Sequence, residues 1–403
     1  MAIWAQLLLF LLQVDHAAEG RKALEANQYA QAAEHYQKAV DAEPKDWASR
    51  FHLALALSML DKDAEATTAY RKVLEDQPGL YEAELNLGVL LLRQKQAAEA
   101  AKLLESAAQK KPKEFRPVYH AAEALLQSGD PAQAEPRFRV AIELNPKAAD
   151  AMIGLARSLV KLNRLADAAA FYEQAAAADP EFKPALLELA GLYEQARQPE
   201  PAIAIYRQFP DNAAARERLG ELLLEGGKAS DAIPELEKAY ATSPTNANRV
   251  ALATAYLRSK QPLKAVPLLE LAVTAEPSNY ELRMYYGRAL RDQRKFQPAV
   301  QEFWKASQIK TDSREAWSEL ASSLMLLENY PQAIAALDKA VSLGADAVAA
   351  SYFRAVMLDR MRDYKQALPA YQKFLSLSQG KNPEQELISR QRVKVIEKEL
   401  NKR

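Results

Sequence analysis

Residues 81–112 read YEAELNLGVLLLRQKQAAEAAKLLESAAQKKP. Two apolar stretches stand out: Leu85, Leu87, Gly88, Leu91 and Leu92, then Ala100, Leu103, Leu104 and Ala107. Each follows the i, i+3, i+4, i+7 spacing of one helix face, and Pro112 closes the second. The segment therefore predicts two short antiparallel helices and a stop. Outward from it, Ala100 recurs as Ala32, Ala66, Ala134, Ala168, Ala202, Ala232, Ala265, Ala299, Ala333 and Ala367, 34 residues apart except for steps of 30 and 33 between Ala202 and Ala265. A unit this small cannot bury its own apolar face, so it must stack on copies of itself.

Other columns share the register. Twelve residues before each alanine stands Gly or Ala, as at Gly20, Ala54, Gly88, Gly220 and Gly287. Four after it stands a large residue: Tyr36, Tyr70, Leu104, Phe138, Tyr172, Tyr206, Leu236, Leu269, Phe303, Leu337 and Tyr371. Small residues let the paired helices approach, and the large one fills the space between them. Twelve after the alanine stands proline in seven of eleven copies, from Pro44 to Pro277, which cannot continue a helix. Pro131, Pro199, Pro201, Pro262, Pro298 and Pro331 open second helices, where a missing N–H costs little. Pro136, Pro234, Pro267 and Pro369 lie deeper and predict mild bends.

These columns resemble the tetratricopeptide repeat, with its W-x2-L-G-x2-Y, A-x3-F, A and P positions. Leu87-Gly88 with Leu91 quotes that pattern, as do Trp317, Leu320-Ala321 and Leu324, followed by Ala333 and Leu337. The resemblance covers residues 13 to 381 in eleven copies and implies an all-α, right-handed α-solenoid of helix-turn-helix units. The sixth copy is about four residues short, ending at Phe209-Pro210-Asp211, and the last three carry Thr311, Ala345 and Gln379 in place of the closing proline. The expected organisation is an apolar N-terminal segment (1–18), copies one to six (19–212), copies seven to eleven (213–381) and a C-terminal capping helix (382–403).

The ends differ in kind. Residues 2–14, AIWAQLLLFLLQV, are shorter than the roughly 20 residues a membrane-spanning helix requires. They fit a signal peptide or an anchor, though no Lys or Arg precedes them and His16 and Asp15 make a poor cleavage site. The alternative is a first capping helix, against which Leu7 to Leu12 is apolar all round. An exported or envelope-associated location is therefore expected, with a cytoplasmic one as the alternative. In the last helix Leu387, Ile388, Val393, Val395, Ile396 and Leu400 are expected to cover the final repeat, with Arg390, Arg392, Lys394 and Lys398 facing out.

Composition narrows function. The 403 residues balance 53 basic against 53 acidic side chains, giving no net field for nucleic acid. The absence of cysteine excludes disulfides, cysteine catalysis and thiolate metal sites. His16, His35, His52 and His120 form no metal motif. Gly226-Gly227-Lys228-Ala229-Ser230 superficially resembles a phosphate loop, but its spacing is wrong and it reads as a helix end. No carboxylate pair stands apart as an acid/base couple. A non-catalytic protein without cofactor or metal is expected.

The resemblance implies that first helices line a concave groove. Chaperone-binding members hold a terminal carboxylate there with a lysine and an asparagine. The positions matching that lysine include Phe51, Leu85, Tyr119, Met284, Ser318 and Tyr352, and those matching the asparagine include Leu55, Val89, Glu123, Arg157 and Arg288. None is the required residue, so binding of chaperone tails is disfavoured. The expected groove is mixed: Tyr119, Glu123, Arg157 and Lys161 in copies four and five, then Arg258, Met284, Tyr285, Arg288, Arg291 and Tyr352 in copies eight to eleven. Tyr and Arg are enriched at binding hot spots. Arg288 and Arg291 beside Tyr285 predict a seat for an acidic or aromatic peptide, unless intra-repeat carboxylates hold them. The expected function is a scaffold for protein or peptide partners. The alternative is an exported accessory or assembly subunit of an envelope secretion or polysaccharide machinery.

Overall fold

The computed structural model describes residues 15–401, and 80% of the chain is helical, with no strand among the described residues. The expected N-terminal segment lies, up to residue 14, outside them. The chain divides into two compact units, residues 1–198 and 199–403. The first contains α1 (His16–Glu25), α2 (Tyr29–Ala42), α3 (Trp47–Met59), α4 (Asp63–Asp76), α5 (Tyr81–Arg93), α6 (Ala97–Lys110), α7 (Phe115–Gln127), α8 (Pro131–Leu144), α9 (Ala149–Lys161), α10 (Leu165–Ala178) and α11 (Ala185–Gln195). The second contains α12 (Pro199–Tyr206), α13 (Ala213–Glu225), α14 (Ala229–Thr242), α15 (Asn246–Arg258), α16 (Pro262–Ala275), α17 (Tyr280–Asp292), α18 (Phe296–Ile309), α19 (Arg314–Leu326), α20 (Tyr330–Ser342), α21 (Ala347–Arg360), α22 (Tyr364–Ser378) and α23 (Pro383–Leu400). Odd-numbered helices up to α21 are the first helices of eleven copies and even-numbered ones the second. The division falls inside the sixth copy, upstream of the boundary expected near residue 212. There the second helix, α12, has only 8 residues.

The small and large columns meet in space. A Cβ on Gly88 would lie 2.5 Å from Leu104 Cγ, and one on Gly287 would lie 2.7 Å from Phe303 Cε1. The glycines thus set the distance between helices, and Leu104 and Phe303 are fully buried against them, as are Tyr70 and Tyr172 in copies whose small residue is Ala54 or Ala156. Burial of such a side chain contributes about 1.5–3 kcal/mol. Charge is buried as well. Arg283 pairs with Glu302, and its Nε donates to the carbonyl of Pro277 at 2.7 Å. Arg50 repeats the arrangement with Asp76 and Pro44.

All eleven turns within copies share one geometry. The residue five before each column alanine is left-handed: Asn27, Asp61, Lys95, Asn163, Arg197, Lys260, Arg294, Glu328 and Arg362 at φ 55° to 60°, and Gly129 and Gly227 in the other two. At Lys95 the next N–H, of Gln96, donates to Leu91 O at 2.8 Å and that of Lys95 to Leu92 O at 3.0 Å, a Schellman closure. Gly227, in the loop-like Gly-Gly-Lys stretch, occupies this position, as expected of a helix end. Pro136, Pro234, Pro267 and Pro369 stand at equivalent, exposed positions, and their helices continue through them. The link from α20 to α21 departs from the others. It turns on Gly344 at φ 90°, with Ala345 N donating to Ala340 O at 3.0 Å.

The last helix caps its unit, but not with the whole expected face. Ile396 is fully buried among Ala355, Leu358, Ala367 and Tyr371, with Val393 and Leu400 beside it. Leu387, Ile388 and Val395 are exposed instead, because six apolar residues span more of the helix circumference than one contact face covers. Arg392, expected outside, turns inward and binds Asp359 through both Nε and Nη2 at 2.7 Å.

Two outcomes follow from the spacing and turn geometry. Gly88→Ala is expected to lower stability by about 1–3 kcal/mol through overpacking, whereas Gly191→Ala, with no atom within 4 Å of its Cβ, raises it by up to about 1 kcal/mol. Urea unfolding of the two variants measures both. Glu328→Gly, which removes a left-handed side chain at φ 59°, is expected to raise the urea midpoint, by up to about 1 kcal/mol in stability; an unchanged or lower midpoint would contradict the turn argument.

Candidate binding grooves

First helices of consecutive copies touch one another within each unit, as α5 does α7 and α7 does α9, which places them on the inner side of the stack. In the first unit, Tyr119, Glu123, Arg157 and Lys161 come together in one cleft of about 360 Å³, floored by Phe138 and edged by Asp150 and Glu188. Gly154 makes room for that floor, since a Cβ there would lie 2.3 Å from Phe138 Cε1. Tyr119 stacks on Phe115 with ring centroids 5.4 Å apart. Burial pushes its phenol well above the ordinary value, and Glu123 and Asp150 add to the push. Arg157 is not free: it binds Glu188 at 2.8 Å, and Tyr172 donates to the same carboxylate at 2.7 Å. Burial alone would raise the Glu188 carboxyl, but the bonds from Arg157 and Tyr172 outweigh it and hold it below the usual range.

In the second unit the expected residues separate. Met284 is 2% exposed and belongs to the core, because at this position the α17 side chain points between helices. Arg258 Nη1 donates to the carbonyl of Leu224 on α13 at 2.7 Å. Tyr352 leans on Phe374 with centroids 5.1 Å apart. Tyr285 remains exposed. Arg288 binds Glu319 at 2.8 Å and also Glu315, and Arg291 binds Glu319. The basic pair is thus held by α19, the first helix of the next copy, so it does not present the free cations an acidic peptide would require.

The two arginine straps are the same contact. Arg157–Glu188 and Arg288–Glu319 each join positions 31 residues apart on consecutive first helices. Between copies ten and eleven that register carries Ser322 and Phe353, so no strap forms there. An apolar pocket of about 240 Å³ opens instead, lined by Ala321, Ser322, Met325, Leu337, Phe353 and Met357 among others. Leu337 is the one member of the large-residue column left partly exposed. Arg354 adds to the opening: it stands where seven other copies have leucine and pairs with Asp338 on α20. Sequence reasoning stopped one residue short of this pocket, at Tyr352. The available signal was an aromatic at Phe353, in a position that carries glutamate at Glu188 and Glu319.

Among the described residues, no group of three or more His, Asp or Glu side chains is placed to hold a metal ion, and no helix is long and apolar enough to cross a membrane. His16 and His35 meet Nδ1 to Nδ1 at 3.1 Å, and His52 stacks on Tyr36.

One family model described as tetratricopeptide repeat matches residues 17–81, 62–115, 119–181, 250–313 and 318–382. A second with the same description matches residues 159–222. No curated protein matches the chain. Similar solved structures include MamA MSR-1, at 21% identity over 42% of this chain and 97% of that one, with a TM-score of 0.40. MamA from Desulfovibrio magneticus RS-1 is 20% identical over 41% of this chain and 94% of that one, with a TM-score of 0.39. YrrB, described as a TPR protein with an unusual peptide-binding site, is 23% identical over 53% of this chain and 95% of that one, with a TM-score of 0.34. With its helix pairs, its interlocking columns and a family model matching well over half its length, the chain belongs to the tetratricopeptide repeat family.

Proposed function

We propose that the protein is a non-catalytic scaffold that seats an extended segment of a partner protein on its first-helix face, with an apolar side chain anchored between copies ten and eleven. The observation that carries this reading is the apolar pocket there, over which Leu337 and Phe353 are left partly exposed. A well-formed apolar pocket with a few polar neighbours is the default binding site of a fold that presents no catalytic group. Ser318, Ser322 and Asp346 supply those neighbours. The more polar cleft of copies four and five, with Tyr119, Glu123 and Lys161, is a second seat in the other unit.

A second reading is an exported accessory or assembly subunit of an envelope secretion or polysaccharide machinery. The apolar run of residues 2–14 favours it. Cell fractionation with N-terminal sequencing tests it; a cytoplasmic protein with an intact start would overturn it.

The anchoring test uses a random peptide library displayed on phage and panned on the full chain. One set of enriched peptides is expected to share a Leu, Phe or Met and to lose about tenfold or more in affinity on Phe353→Glu, the loss typical of disrupting a hot spot. Arg288→Gln is expected to leave binding unchanged. Absence of any Phe353-dependent peptide would sink the pocket, and a loss of those peptides on Arg288→Gln would return the site to the basic pair.

A further inference from the structure

Two junctions between second helices are strapped across copies, as two between first helices are. In the first unit Arg71 on α4 binds Glu99 on α6 at 2.8 Å, 28 residues on, and Glu105 on α6 binds Arg137 on α8 at 2.7 Å, 32 residues on. Arg71 and Glu105 occupy the same place in the repeat, five residues after the column alanine. In copy nine that place is Trp304, on α18. The two positions that would answer it on α20 are Gln332 and Ala336, and neither can form an ion pair. A cleft of about 770 Å³ remains between α18 and α20, with α19 as its floor.

Two of the protein's four tryptophans line this cleft. Trp317 is fixed, its indole N–H donating to the carbonyl of Thr311 at 3.2 Å. Trp304 is 54% exposed. Leaving so much indole in water forgoes hydrophobic stabilisation, and tryptophan is the residue most enriched at binding hot spots. The rim is basic: Lys305 and Lys339 line it, and no Asp or Glu does. Glu302, which holds Lys305 at 2.7 Å, is buried behind it.

We propose that this second-helix face is a separate docking surface, which takes a segment of a partner protein presenting an apolar side chain flanked by carboxylates. The apolar side chain packs on Trp304 and Trp317 over Leu324. The carboxylates meet Lys339, and Lys305, held by Glu302, adds positive charge beside it. The site lies on the opposite side of the helix pairs from the Phe353 pocket and does not depend on it.

The test pans the same phage-displayed random peptide library on the full chain and, in parallel, on Trp304→Ala, whose fold is checked by circular dichroism. Peptides enriched on the full chain but not on the variant are expected to carry Leu, Phe or Trp beside Asp or Glu. In calorimetric titration a synthetic copy is expected to lose at least about tenfold in affinity on Trp304→Ala. It is expected to weaken on Lys339→Glu and in raised salt, and to bind Phe353→Glu unchanged. Absence of any Trp304-dependent peptide would overturn the proposal, as would enrichment of basic peptides. Loss of binding on Phe353→Glu in place of Trp304→Ala would move the contact to the other face. Trp304-dependent binding of phosphatidylglycerol-containing vesicles, with no peptide bound, would replace the protein partner with a membrane surface.

Discussion

Every helix pair in both units is held at the distance that a Gly or Ala in the first helix allows to the Tyr, Phe or Leu of the second. Where the small residue is glycine, no methyl group fits without displacing Leu104, Leu236 or Phe303. This contact fixes the angle and separation of the pair, and with them which residues reach the next copy. Stacking then depends on the same large side chain, because its far side is covered by the following first helix, as Gly154 covers Phe138. Removing that cover exposes the core of the copy beneath, which is the condition of Leu337.

The surface between copies carries a second, weaker set of contacts. Arginine and glutamate bridge consecutive first helices at two junctions, Arg157–Glu188 and Arg288–Glu319, and consecutive second helices at two others, Arg71–Glu99 and Glu105–Arg137. Exposed pairs of this kind contribute little stability, about 0–1 kcal/mol each. Their larger consequence is occupancy, since they fill the gap between helices and neutralise the side chains that face it. Two gaps without them carry unusual surface residues, Phe353 on one face and Trp304 on the other. At one such gap α21 follows α20 through the Gly344 turn, and Arg354 on α21 pairs with Asp338 on α20.

Much of the fold was legible without coordinates. The alanine, small-residue and large-residue columns gave the helix pairs; the division into two units falls inside the shortened sixth copy but upstream of residue 212. The left-handed turn was only partly legible, since six of its eleven positions carry Lys, Arg or Glu, such as Lys95 and Glu328, whose type does not announce the conformation. The candidate site was half legible. Tyr119, Glu123, Arg157 and Lys161 do share a cleft. For Arg288 and Arg291 the sequence allowed a peptide seat or ion pairs within the repeat, and the partners that hold them, Glu315 and Glu319, lie on the next copy.

Sequence alone determined the architecture, because the contact that builds each copy joins residues only 16 apart and repeats with the period of the chain. A pattern that local and that often repeated survives as columns. Tertiary structure decided which surface side chains are engaged and which are available. Straps join residues about 30 apart on different copies, and whether two columns meet depends on the rotation from one helix pair to the next. That rotation is set by packing volumes and turn geometry at each junction. It is why Arg288 is held, Leu337 is uncovered and Trp304 faces water.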